Sequence, residues 1–120
     1  MAGSTVRNAE KVCRALSRIP ILFLKCPASS FRSRSIWLEI FPKGVSKGHS
    51  VEWLCNYLNI DRSLTVSCGN DYNDLEMLEW TSQSFVVDNA PDELKKRFRV
   101  VRSNQENGFK EMVETVLNRF

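Results

Sequence analysis

The chain has 120 residues, 42% of them hydrophobic and 26% charged, with a net charge of +3. That is room for one domain with a modest core, burying about two-thirds of its unfolded surface, and too little positive charge for the dense basic face of a nucleic-acid binder. Four widely spaced cysteines, no C-x-x-C pair and one histidine argue against a zinc module. The longest apolar run, Ile19 to Leu24, contains Pro20 and is too short to cross a bilayer. The opening MAGSTVRNAEK has no apolar h-region, so the expectation is a cytoplasmic protein with reduced thiols and no signal peptide.

Val6, Ala9, Cys13 and Leu16 recur at helical spacing and predict a helix over Thr5 to Ser17, stopped by Pro20. Ile21 to Lys25 and Ile36 to Phe41 read as two strands, an antiparallel pair, joined by the serine-rich loop Pro27 to Ser35 with Arg32 and Arg34. After Pro42 the pattern changes. Val51, Leu54, Cys55 and Leu58 mark a helix over Lys47 to Asn59. Leu64 to Cys68, Phe85 to Val87 and Phe98 to Val101 are short apolar runs of the kind buried in parallel sheets. Helices are predicted from Leu75 to about Thr81, from Pro91 to Arg97, and over Phe109 to Phe120, where Met112, Val113, Val116 and Leu117 complete the stripe. From Lys47 the order is α-β-α-β-α-β-α, which implies right-handed crossovers and a parallel sheet.

Such a sheet collects its chemistry outside the carboxyl ends of its strands. Three polar features converge there: Lys47 at the start of its helix, the cluster Asn70, Asp71, Asn73 and Asp74 after Gly69, and the turn Asp88-Asn89-Ala90-Pro91. A cation, an oxygen-rich loop and a polar turn suit phosphate chemistry, which rests on positioning and charge neutralisation. The oxygens of the loop suit Mg²⁺.

The ordered blocks LEIFPKGVSKG, CGNDYNDLEMLEW, VVDNAPDELKK and VRSNQENGF resemble the C-terminal part of Cof-type phosphatases of the haloacid dehalogenase (HAD) superfamily. The resemblance runs from Trp37 to Phe120. It implies an α/β fold: a partial Rossmann-like core with parallel strands flanked by helices over residues 37–120, preceded over residues 1–36 by the tail of an α+β cap. It also implies Mg²⁺ and hydrolysis of phosphorylated metabolites through an aspartyl-phosphate. By position, Lys47 looks like the family lysine that neutralises nucleophile and phosphoryl oxygens. Asn73 looks like the asparagine that touches phosphate, and Asp74 like the acid that supports the lysine and the loop. Asn70 falls where the family usually places its metal-ligating aspartate. The carboxylate has moved one position, to Asp71, so the implied metal set is Asn70, Asp71 and Asp74.

The family nucleophile sits in an Asp-x-Asp loop, and this sequence has no aspartate before Asp61. The isolated chain is therefore expected to lack phosphatase turnover. A rival reading is an interaction module that self-associates or complements a missing half through exposed strand edges and apolar faces. A third, a nucleotide-binding α/β protein, lacks a G-x-G-x-x-G or Walker-type loop. Ordinary structural roles compete at single residues. Asp71 and Asp74 also suit a helix cap, Asn89 a turn, and Asn104 and Asn107-Gly108 a loop before the last helix. His49 reads as exposed, and Trp37, Trp53 and Trp80 as core or cap-interface residues.

Overall fold

The computed structural model describes residues 39–119, the strand 22–25 and positions 7, 8, 11, 12, 14, 15 and 18. The helical positions 7, 8, 11, 12, 14 and 15 fall inside the helix predicted there. Arg32, Arg34, Trp37, Cys13 and Cys26 lie outside the described residues. The chain divides into two compact units, Met1–Ser46 and Lys47–Phe120.

In the first unit, β1 (Leu22–Lys25) pairs antiparallel with β2 (Glu39–Pro42), Leu22 opposite Pro42. Pro42 ends the ladder, and the chain turns with Val45 N donating to the Pro42 carbonyl at 3.1 Å. Gly44 takes φ +83° in that turn, a left-handed conformation open to glycine.

The second unit follows the predicted order: α1 (Lys47–Leu58), β3 (Val66–Gly69), α2 (Leu75–Trp80), β4 (Gln83–Val87), α3 (Asp92–Arg97), β5 (Arg99–Val101) and α4 (Gly108–Leu117). The sheet runs β3-β4-β5 and is parallel throughout. Gly69 stands opposite Val86, and Val87 opposite Val101, so the three strands finish along one edge. Central β4 carries Phe85, Val86 and Val87, all buried, as expected of a strand covered on both faces. Leu78 from α2, Leu94 from α3 and Met112 from α4 close the core around it.

Periodicity placed the helices correctly and overstated how much of them is covered. In α1 Cys55 is buried, but Leu54 and Leu58 are exposed. Trp53, expected in a core or interface, is 65% exposed and stacks on Tyr57 with ring centroids 5.4 Å apart. In α4 Met112 is buried and Val113 and Val116 pack on the core, while Phe109 and Leu117 face outward. The reverse holds in β3. Ser67, the polar exception in an apolar run, is buried, because its hydroxyl bonds the Thr81 hydroxyl where α2 ends. Val66 and Cys68 are only partly covered.

Candidate functional site

The loop between β3 and α2 is built by its own side chains. Asp71 caps the 3₁₀ turn Tyr72–Asp74, its Oδ1 accepting from Tyr72 N at 2.7 Å. Asp71 and Asp74 form a reciprocal capping box, each side chain bonding the other residue's backbone N–H. Gly69 makes the geometry possible. A Cβ there would fall 2.8 Å from Asp74 Cβ and 3.0 Å from Leu78 Cδ1, so only hydrogen lets the aspartate fold back against the strand end.

Asp74 is the buried centre of the loop, its side chain 4% exposed. Oδ2 accepts from Asn70 N at 2.8 Å and from Asp71 N at 3.3 Å, and Oδ1 accepts from Lys47 Nζ. Lys47 is brought there by α1, which packs on α2 through Gly48, where a Cβ would stand 2.9 Å from the Glu76 backbone carbon. The lysine side chain is 51% exposed, so its ammonium has one side on the carboxylate and one toward solvent. Asn73 Oδ1 is buried without a hydrogen-bond partner. A buried polar atom left unpaired is costly unless something else is meant to meet it. His49 is exposed, as expected, with Nδ1 4.0 Å from Glu76 Oε2.

Two titratable neighbours are perturbed. Burial, with a smaller push from Asp74, raises the Cys68 thiol above its ordinary value. The Tyr72 phenol is raised to about 12, mainly because it donates to Glu93 Oε2 at 2.5 Å.

Beside this loop an open cleft of about 360 Å³ follows the carboxyl ends of the strands. It is lined by Cys68, Gly69, Asn70, Val87, Asn89, Asn104 and Phe109. Three asparagines thus come from the segments after β3, β4 and β5. Asn89 Oδ1 accepts from Asn104 N at 3.2 Å, so it joins two of these segments as well as making a turn. Asn104, read from sequence as plain loop, belongs to the cleft wall. The spacing that could have found it is an asparagine shortly beyond each of the three strand ends. Asp88 and Asp92 both meet Lys95, whose Nζ is 3.0 Å from the Asp88 carbonyl and 3.1 Å from Asp92 Oδ1.

The structure therefore brings Lys47, Asn70, Asp71, Asn73 and Asp74 to one locus. Their donor set does not fit Mg²⁺ well. Both carboxylates of the loop are engaged by protein donors, and the oxygens left over belong to neutral amides, whereas Mg²⁺ is held by carboxylates and waters. Among the described residues no group of three or more His, Cys, Asp or Glu stands close enough to hold a metal ion. What the arrangement does offer is a half-exposed ammonium, fixed by a buried carboxylate and flanked by amides, which is chemistry for an oxyanion.

Residues 3–113 match the family model of the haloacid dehalogenase-like hydrolases. A phosphoglycolate phosphatase from Pyrobaculum aerophilum is 36% identical over 93 residues, covering 77% of this chain and 40% of that protein. The 5-amino-6-(5-phospho-D-ribitylamino)uracil phosphatase YwtE of Bacillus subtilis is 32% identical over 82 residues, covering 68% of this chain and 29% of that protein. The structure of a haloacid dehalogenase-like hydrolase from B. subtilis superposes with a TM-score of 0.76 at 25% identity, over 90% of this chain and 36% of that one. The chain thus spans well under half the length of these relatives. With the parallel α/β sheet and the lysine–aspartate locus in place, the match over residues 3–113 assigns the chain to the haloacid dehalogenase-like hydrolase family.

Proposed function

We propose that this chain supplies the charge-neutralising half of a Cof-type phosphomonoesterase site that acts on phosphorylated small molecules. The observation that carries the reading is the bond from Lys47 Nζ to Asp74 Oδ1, which joins the start of one helix to a glycine-led loop 27 residues away. In a complete site Lys47 would neutralise oxygens of the phosphoryl group and the nucleophile, Asn73 would orient phosphate, and Asp74 would hold the lysine in place. The family generally works with Mg²⁺, and none of these roles passes through the ion.

Turnover needs a nucleophile as well. The first aspartate of this sequence is Asp61, at the cap of a 3₁₀ turn, so this polypeptide alone cannot form the aspartyl-phosphate of an Asp-x-Asp loop. Pure chain given p-nitrophenyl phosphate and Mg²⁺ is expected to release no nitrophenol, and clear turnover would refute that. Titration with inorganic phosphate, followed by amide NMR, is expected to move Lys47 and Asn70–Asp74, and Lys47→Ala to abolish the movement. An unresponsive wild-type loop would sink the phosphate reading. We place the protein in the cytoplasm, in keeping with the free thiols Cys55 and Cys68.

A second reading rests on a separate observation. Trp53, Leu54, Tyr57 and Leu58 share one exposed face of α1, and exposed Leu64 follows shortly after. Apolar faces of this kind favour association, so this one suits a second copy or a complementary half. Sedimentation that finds a monomer at high concentration would rule out the second copy.

A further inference from the structure

We infer that the acidic loop of this chain has given up a divalent-cation site, and that Asn70 is the residue responsible. The inference rests on the proposed function only in taking this loop as the metal loop of its family. Among the described residues, the carboxylates of this edge have protein partners. Asp74 accepts three donors and is nearly inaccessible, so ligating a metal would mean displacing Lys47. Asp71 is held in the capping box. Asp88 and Asp92 meet Lys95, and Glu93 accepts from Tyr72. The oxygens that remain near the loop are amides: the Asn70 side chain on an exposed residue, and the buried Asn73 Oδ1.

Charge decides the matter. Mg²⁺ dehydrates reluctantly and is held in proteins through one or two carboxylates, which repay the lost water. Amide oxygens bring a dipole and no charge. Lys47 also places a positive ammonium on the loop's buried carboxylate, which opposes any cation brought near it. Restoring one carboxylate at position 70 changes neither the size nor the shape of the side chain. It adds a negative charge at the exposed strand end, where the backbone N–H is already fixed by Asp74.

The test is a titration of the ¹⁵N-labelled full chain with MgCl₂, read at the amides of Asn70 to Asp74, for wild type, Asn70→Asp and Asp71→Asn. The spectra themselves report whether each variant is folded. Wild type is expected to show no saturable shift up to about 10 mM, and Asn70→Asp to bind at least roughly tenfold more tightly. Saturation of the wild type in the low millimolar range, lost in Asp71→Asn, would make Asp71 a ligand and overturn the inference. Equal silence from wild type and Asn70→Asp would also overturn it, since the asparagine would then not be the cause. Neither result bears on phosphate binding by Lys47 and Asn73, which the phosphate titration reads independently.

Discussion

Two lysines meet carboxylates at the same edge of the sheet, in opposite surroundings. Lys47 bonds a carboxylate that is 4% exposed and also accepts two backbone N–H groups. Lys95 meets Asp88 and Asp92, which are 68% and 79% exposed. The charges are alike and the consequences are not. In the first pair water cannot reach the carboxylate to replace a lost donor, so the pair fixes the loop. In the second, water and salt compete for both carboxylates, and the geometry costs little to abandon.

The largest effect should come from the buried side. Asp74→Ala removes the carboxylate that accepts from Lys47 Nζ, Asn70 N and Asp71 N together. It should destabilise the chain by about 2–4 kcal/mol, because two backbone donors lose a carboxylate acceptor while the half-exposed lysine escapes to water. Urea unfolding measures this. A loss under about 1 kcal/mol would erase the contrast between the two pairs.

Gly69→Ala attacks the same loop by shape. The new methyl would meet Asp74 Cβ, fixed by the donors its carboxylate accepts, and Leu78 Cδ1, fixed in the core. A cost of about 1–3 kcal/mol is expected from this overpacking, with the amide resonances of Asn70–Asp74 shifting most. Wild-type stability in this variant would mean that the aspartate is not wedged against the strand end.

Much of this locus was legible in the sequence. Lys47 opens a helix, Gly69 ends a strand, and the alternating order forces parallel crossovers, so both had to reach the carboxyl edge. Ser67 was less legible, since its burial depends on a hydroxyl partner at Thr81, across the crossover. The same holds for Asn104, whose place in the cleft depends on how the segment after β5 meets Asn89. Trp53, Leu54 and Phe109 mark the other limit. A period of 3.6 announces that a helix has an apolar side; it does not say whether another layer lies against it. In this chain α1 and α4 each leave part of that side open.

The exposed pair supplies the counterpart to Asp74. Lys95→Ala should cost about 0.2–1 kcal/mol, and less as salt is added. A loss as large as that of Asp74→Ala, unchanged by salt, would show that burial is not what separates the two pairs.

The smallest effect sharpens the comparison through pH. Tyr72 ties the buried loop to α3 by donating to Glu93, and that bond needs the phenol protonated. Its folded-state value, about 12, lies above the ordinary 10.0. The sign follows: the stabilisation is fully present below pH 10 and fades as pH climbs toward 12. The bond is solvent-exposed, so Tyr72→Phe should cost only about 0.5 kcal/mol at neutral pH. The gap between variant and wild type should then close as pH rises through that window. A gap that stayed constant to pH 12 would mean that the phenol contributes by packing, and that the loop is held to α3 without its proton.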